Sequence, residues 1–313
     1  MGRKLFGIGS HGGIVGDIQR GLVSAGADPG RVDEVYGPGT ASAVKQVQAK
    51  NQVPNTGEVD QATWAAFMQR PLPTLFERSL ELTAAFEGHS YTLAVGNFDG
   101  AGLTWGVIGF TVKSGNIPAI LSQANDLHAN IIEQAFAENA ASITKMISST
   151  HEQQMKWAES ISIKGRLSAS WGQQFQTLGE FPEVRKIQRQ VALTDYYAPC
   201  LKTAQALKLN SELGVALCFD IQVQDGSINS AARALVQKQV EANPEMPESD
   251  LRTVIANAVA DTALPDFRED VRSRKMTIAT GRGSVHGASY DLSNWGLGEL
   301  PVEDESLTLT VAA

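Results

Sequence analysis

Apolar positions Ile14, Val15, Ile18 and Leu22 recur at spacings of three and four, so they share one helical face, and Gly-Ala-Asp-Pro-Gly at 26 to 30 ends that helix. Thr40 stands as an N-cap before Ala43, Val44 and Val47, with Lys45 and Lys50 on the polar side, which predicts a second helix. A third starts near Asp60 and carries Trp64, Phe67 and Met68. Three short helices around a small core are expected over residues 1–70. Pro71 and Pro73 then disfavour helix and predict a stiff linker at 71–75, with a second domain over 76–313.

From Leu75 the helical period returns in Leu75, Phe76, Leu80, Leu82, Thr83 and Phe86, and it stops at Glu87-Gly88. Tyr91, Leu93 and Val95 alternate before a glycine-rich turn, which predicts a short antiparallel ribbon around 90 to 110. Residues 117–164 are mainly helical in pattern. Further helices are expected around 184–197, 199–207, 213–224 and 246–264, and 298–313 reads as an acidic, partly extended tail. The expected fold class is therefore mainly α with a small antiparallel sheet.

Composition narrows the function. With 42% hydrophobic and 19% charged residues and no apolar run near the roughly 20 residues of a membrane span, a soluble chain without membrane insertion is expected. A net charge of -8 argues against nucleic acid as partner, because phosphate binding scales with Lys and Arg contacts. Cys200 and Cys218 fall short of a disulfide framework and predict reduced core thiols. The N-terminus is basic but lacks the apolar stretch of a signal peptide. His11, His89, His128, His151 and His286 are dispersed, so neither a metal nor another cofactor is expected. The glycine-rich stretches at 7 to 13 and 281 to 284 lack the context of a phosphate loop and read as turns.

The chemistry sits in Glu87 and in Asp99-Gly-Ala-Gly-Leu-Thr104-Trp-Gly-Val-Ile-Gly-Phe-Thr111. Two carboxyl groups on different elements are what glycosidic hydrolysis needs, one to protonate the leaving oxygen and one to activate water. Glu87 closes an apolar helix, where a carboxyl is costly to ionise, which suits the acid. Asp99 lies in a polar turn and is expected to stay ionised. Their expected outcome is inversion if the carboxyls stand about 6.5 to 9.5 Å apart.

Two resemblances extend this reading. The pattern Ile-Gln-x-x-Leu, Val-Asp-x-x-Tyr36-Gly-Pro-x-Thr, Ala-Val-x-x-x-Gln and Thr-Gly-x-Val-Asp-x-x-Thr-Trp64 resembles three-helix peptidoglycan-binding domains, with Glu34 where a glycine is usual. The Asp99 to Thr111 motif with the upstream Phe-Glu87 resembles the chitosanases of glycoside hydrolase family 46, in the lysozyme superfamily. So does a second block, Phe181-Pro-Glu-Val-Arg-Lys-Ile-Gln188, Tyr197-Ala-Pro-Cys and Phe219-Asp220 to Gly226. The resemblance implies a two-lobed lysozyme-like fold, with Glu87 as general acid, Asp99 as general base and Thr104 as the hydroxyl holding water. His89, Tyr91 and Asn97 join as candidate substrate or supporting residues. The resemblance implies that Asp220 sits in a charge network with an arginine, for which Arg268, Arg272 and Arg274 are candidates and Arg272 is the expected supporting residue. The interval between Glu87 and Asp99 is shorter than in the chitosanases and nearer that of phage-type lysozymes. Asn116 stands where chitosanases carry an Asp for the free amine, so a neutral, acetylated sugar is expected.

Both departures and the N-terminal module favour peptidoglycan. The expected protein is a monomeric muramidase of the endolysin kind, cleaving between N-acetylmuramic acid and N-acetylglucosamine, its binding module tethered to raise local glycan concentration. It is expected to be made in the cytoplasm and to reach the wall by holin-type release or secretion-system delivery. The alternatives are a chitosanase or chitinase, a lytic transglycosylase, and a non-catalytic wall-binding protein.

Overall fold

The structure is a computed structural model and describes residues 2–302 other than His89, Asp99 and Ala129. The chain divides into two compact units: residues up to Phe86 together with those from Tyr196 onwards, and Glu87–Asp195.

The first unit begins with α1 (Gly13–Ser24), α2 (Pro38–Lys50) and α3 (Gln61–Phe67). Phe6, Ile18, Leu22, Tyr36, Val44, Val59 and Trp64 close one core. Tyr36 and Trp64 are thus packing residues, and the Trp64 indole N–H donates to the Arg70 carbonyl at 2.8 Å. Helix α2 begins at Pro38, whose fixed φ suits the first helical position. Thr40 therefore lies inside the helix rather than capping it, and its buried hydroxyl accepts from Gln19 Nε2 at 3.2 Å. Asp60 does cap α3, accepting the Thr63 N–H at 2.8 Å. Helix α4 (Leu75–Glu87) opens on a reciprocal pair, Thr74 N–H to Glu77 at 2.8 Å and Glu77 N–H to Thr74 Oγ1 at 3.2 Å.

In the second unit β1 (Ala94–Val95), β2 (Thr104–Trp105) and β3 (Phe110–Thr111) form an antiparallel sheet in that order. It is followed by α5 (Asn116–Leu127), α6 (Ile131–Phe136), α7 (Ala140–Ile147) and α8 (His151–Ser160). A hairpin of β4 (Ser162–Ile163) and β5 (Arg166–Leu167) precedes α9 (Ala169–Glu180) and α10 (Pro182–Val191). The core is aromatic: Phe175 packs against Trp105 at 5.4 Å and Phe136 at 5.0 Å, and the Trp105 indole donates to the Phe175 carbonyl at 3.1 Å.

A π-helical turn, Ala192–Tyr197, leads back into the first unit. There α11 (Ala198–Ala206), α12 (Glu212–Asp225), α13 (Ser230–Ala242), α14 (Glu248–Asp261) and α15 (Arg268–Thr280) are followed by the ribbon β6 (Arg282–Val285) and β7 (Ala288–Asp291). Helix α12 is buried continuously from Glu212 to Ile221 and is the centre of this unit. Cys200 and Cys218 are free and buried, and burial pushes the Cys218 thiol up to about 12. Residues 281–284, expected as a turn, instead open strand β6; the turn is His286-Gly287, both at positive φ. Residues 303–313 of the expected acidic tail lie outside the described residues.

The N-terminal helices pack within this unit rather than hanging from a tether. Gly12 offers α1 no side-chain cap, and the buried Glu81 carboxyl of α4 lies at that end of the helix, where the Gly13 and Ile14 N–H groups favour its charged form. His11 packs edge-on against Trp295 at 5.2 Å, Arg3 pairs with Glu212, and Lys4 donates to Asn294 at 2.8 Å. Among the described residues no helix is long and apolar enough to cross a membrane.

Candidate active site

Glu87 is the last residue of α4 and is half-buried. Gly88 follows at φ 62°, a left-handed conformation that glycine adopts without steric cost and that stops the helix there. Thr104 lies on β2 between Val95 and Thr111, also half-buried. Asn97 closes the chain between β1 and β2: its Oδ1 accepts the Gly102 N–H at 3.0 Å, and its own N–H donates to Ser162 Oγ at 3.2 Å. Its role is to hold the loop. Asp99 and His89 lie outside the described residues.

Gln188 of α10 supports this sheet from below. Fully buried, it accepts the Val107 N–H at 3.0 Å and donates to the Tyr91 carbonyl at 3.1 Å. Tyr91, expected to touch substrate, is only 6% exposed, with the Arg185 and Arg189 guanidinium groups 5.3 and 5.8 Å from its ring centre. A ring so covered offers no platform to a sugar and supports the wall instead. Asn116 opens α5 and is 8% exposed; its Oδ1 accepts from Ser114 Oγ at 2.6 Å and its Nδ2 donates to Asp195 Oδ2 at 3.1 Å. An exposed carboxylate thus stands beside the amide. Asp195 was hidden in the sequence because it falls within a run that reads as an ordinary helix.

The charge network expected around Asp220 is present within the first unit. Asp220 is fully buried on α12, bonded to Arg274 Nη2 at 2.7 Å, Lys275 Nζ at 2.7 Å and Thr83 Oγ1 at 3.1 Å. Burial alone would raise its pKa, but attraction and hydrogen bonds from Arg274 and Lys275 outweigh that and hold the carboxyl well below the usual range. Arg272 is not its partner: it points to Asn257 at 2.6 Å and Asp261 at 2.7 Å. Positions 272 and 274 leave a helix about 200° apart, so only one of them faces α12. Thr83 is one turn before Glu87 on α4, so the network also fixes that helix near its end. Among the described residues no group of three or more His, Cys, Asp or Glu side chains converges to hold a metal.

Comparison with known proteins places these features in a family. Residues 81–253 match glycosyl hydrolase family 46, and residues 11–67 match the peptidoglycan binding domain. The chain belongs to glycosyl hydrolase family 46. It is a glycoside hydrolase that carries a peptidoglycan-binding domain ahead of its family 46 domain. No curated protein matches it by sequence. Among solved structures, the family 46 chitosanase of Gynuella sunshinyii in complex with chitotetraose is similar at 15% identity and TM-score 0.48, covering 74% of this chain and 100% of that one. A mutant chitosanase from Bacillus subtilis MY002 complexed with 6 GlcN is similar at 17% identity and TM-score 0.46, covering 71% and 98%. The native form of that enzyme gives 18% identity and TM-score 0.46, covering 72% and 97%.

Proposed function

We propose that this family 46 enzyme is a muramidase, hydrolysing the β-1,4 bond between N-acetylmuramic acid and N-acetylglucosamine in peptidoglycan. The observation that carries the reading is the union, in one chain, of a peptidoglycan-binding domain at 11–67 with a glycoside hydrolase domain at 81–253. In this mechanism Glu87 protonates the leaving oxygen, Asp99 activates water, and Thr104 holds that water by its hydroxyl. Asn97 ties Gly102 back to the end of β1. The neutral Asn116 amide, engaged by Ser114 and Asp195, suits an acetylated sugar better than a free amine. The chain acts as a monomer on the wall after holin-type release or delivery by a secretion system.

Turbidity of purified sacculi tests the reading. The wild type is expected to clear the suspension, and Glu87→Gln is expected to lose about 10²- to 10⁴-fold in rate, the usual share of general acid catalysis. Asp99→Asn should be similarly impaired; an Asp99→Asn enzyme of near wild-type rate would mean a lytic transglycosylase, where one acid suffices.

A second reading, chitosan hydrolysis, has Asp195 in its favour, because that exposed carboxylate beside Asn116 offers a partner to a cationic amine. Cleavage of soluble chitosan with sacculi left intact would decide for it.

A further inference from the structure

The β4–β5 hairpin is turned by Lys164-Gly165, between the paired residues Ile163 and Arg166. Both turn residues have positive φ, 50° and 76°, a two-residue turn whose first position usually carries Asn or Asp. A lysine there is conformationally less favourable than Asn or Asp. The hairpin backbone rests directly on the loop after β1. A Cβ on Gly96 would fall 2.6 Å from the Arg166 carbonyl carbon and 2.9 Å from the Gly165 oxygen. One on Gly165 would fall 3.2 Å from Asn97 O and from Phe98 Cα. The Ser162 hydroxyl accepts the Asn97 N–H at 3.2 Å and ties the hairpin to the loop.

That seating sets Gly165, which stands between Lys164 and Arg166, against Phe98, which is 67% exposed. Both cations are exposed, and among the described residues neither pairs with an acid. Lys164 and Arg166 thus put two positive charges on the residues flanking Gly165, which itself lies against Phe98. We infer that Phe98, Lys164 and Arg166 form a subsite for a carboxylate-bearing, N-acetylated glycan, the ring taking the apolar face of a sugar and the cations taking its lactyl or peptide carboxylates. This rests on the peptidoglycan reading and gives it a means of discrimination: the same ridge repels a polycationic chitosan chain.

Steady-state digestion of native sacculi and of sacculi with amidated carboxyls tests the subsite. Lys164→Asn combined with Arg166→Gln leaves the turn geometry intact, since Asn tolerates left-handed backbone. For native sacculi its KM should rise about three- to ten-fold with kcat unchanged, and its rate should lose the wild type's sensitivity to ionic strength. On amidated sacculi the double variant and the wild type should not differ. Phe98→Ala should raise KM about five-fold on both substrates. A wild type that digests native sacculi, with a double variant of equal KM and equal salt response, overturns this inference alone. A wild type that releases nothing from native sacculi overturns the peptidoglycan reading and the inference with it.

Discussion

Two buried carboxyls in the first unit show opposite electrostatic solutions. Asp220 is matched by Arg274 and Lys275, and Asp220→Asn would leave both cations facing an amide, at a cost of about 3 to 5 kcal/mol in urea unfolding. Because its folded pKa is depressed, its contribution to stability is present above the unfolded value and is lost as pH falls through the folded one, so the loss belongs to the acid range below about pH 4. The variant should lack that part of the acid dependence. Among the described residues Glu81 is paired with no cation. Burial first, then the nearby Glu34 and Asp17, raise its pKa from 4.5 to about 7 against the pull of the Gly13 and Ile14 N–H groups. Its contribution is therefore full below about pH 4.5 and falls away as pH rises through about 7. Thermal scans should find Glu81→Gln more stable than wild type near pH 8, with the difference vanishing near pH 4; a difference independent of pH would contradict the assignment.

At the scale of elements, close backbone approach decides how the sheet and the β4–β5 hairpin meet. Gly96→Ala forces a methyl group into the Arg166 and Gly165 backbone, and overpacking of that kind costs about 1 to 3 kcal/mol, readable as a lowered urea midpoint together with reduced glycan hydrolysis. Unchanged stability would mean that the hairpin yields easily. Helices α1, α3 and α4 were legible in the sequence because a clean apolar period ended in glycine or began at a capping Asp. Helix α2 was legible in extent but not in its cap, since Pro38 pre-empts Thr40 as the start. The β4–β5 and β6–β7 turns were not legible, because Lys-Gly and His-Gly carry weaker turn signals than Asn-Gly and their flanking strands are short and polar. Within the site, the motif placed Glu87 and Thr104 on the elements expected. It did not separate Arg272 from Arg274, which depends on helix rotation, nor show that Tyr91 is covered by arginines from α10.

For the whole molecule, the main departure is the placement of the N-terminal helices. A tethered module would leave the rest of the chain unaffected by its removal. Here His11, Arg3 and Glu81 make it part of one folded unit with the segment after Tyr196. Removal of residues 1–70 would expose Trp295 and leave Glu212 with one arginine fewer. The truncated chain should therefore unfold at a temperature lower by several degrees as well as bind sacculi poorly; an unchanged melting temperature would restore the tether. Mass spectrometry of fragments from digested sacculi is the most direct test of peptidoglycan as the substrate. Muropeptides ending in reducing N-acetylmuramic acid, released by the wild type and absent with Glu87→Gln, are the expected result. Undigested sacculi alongside chitosan cut to short oligomers would contradict it.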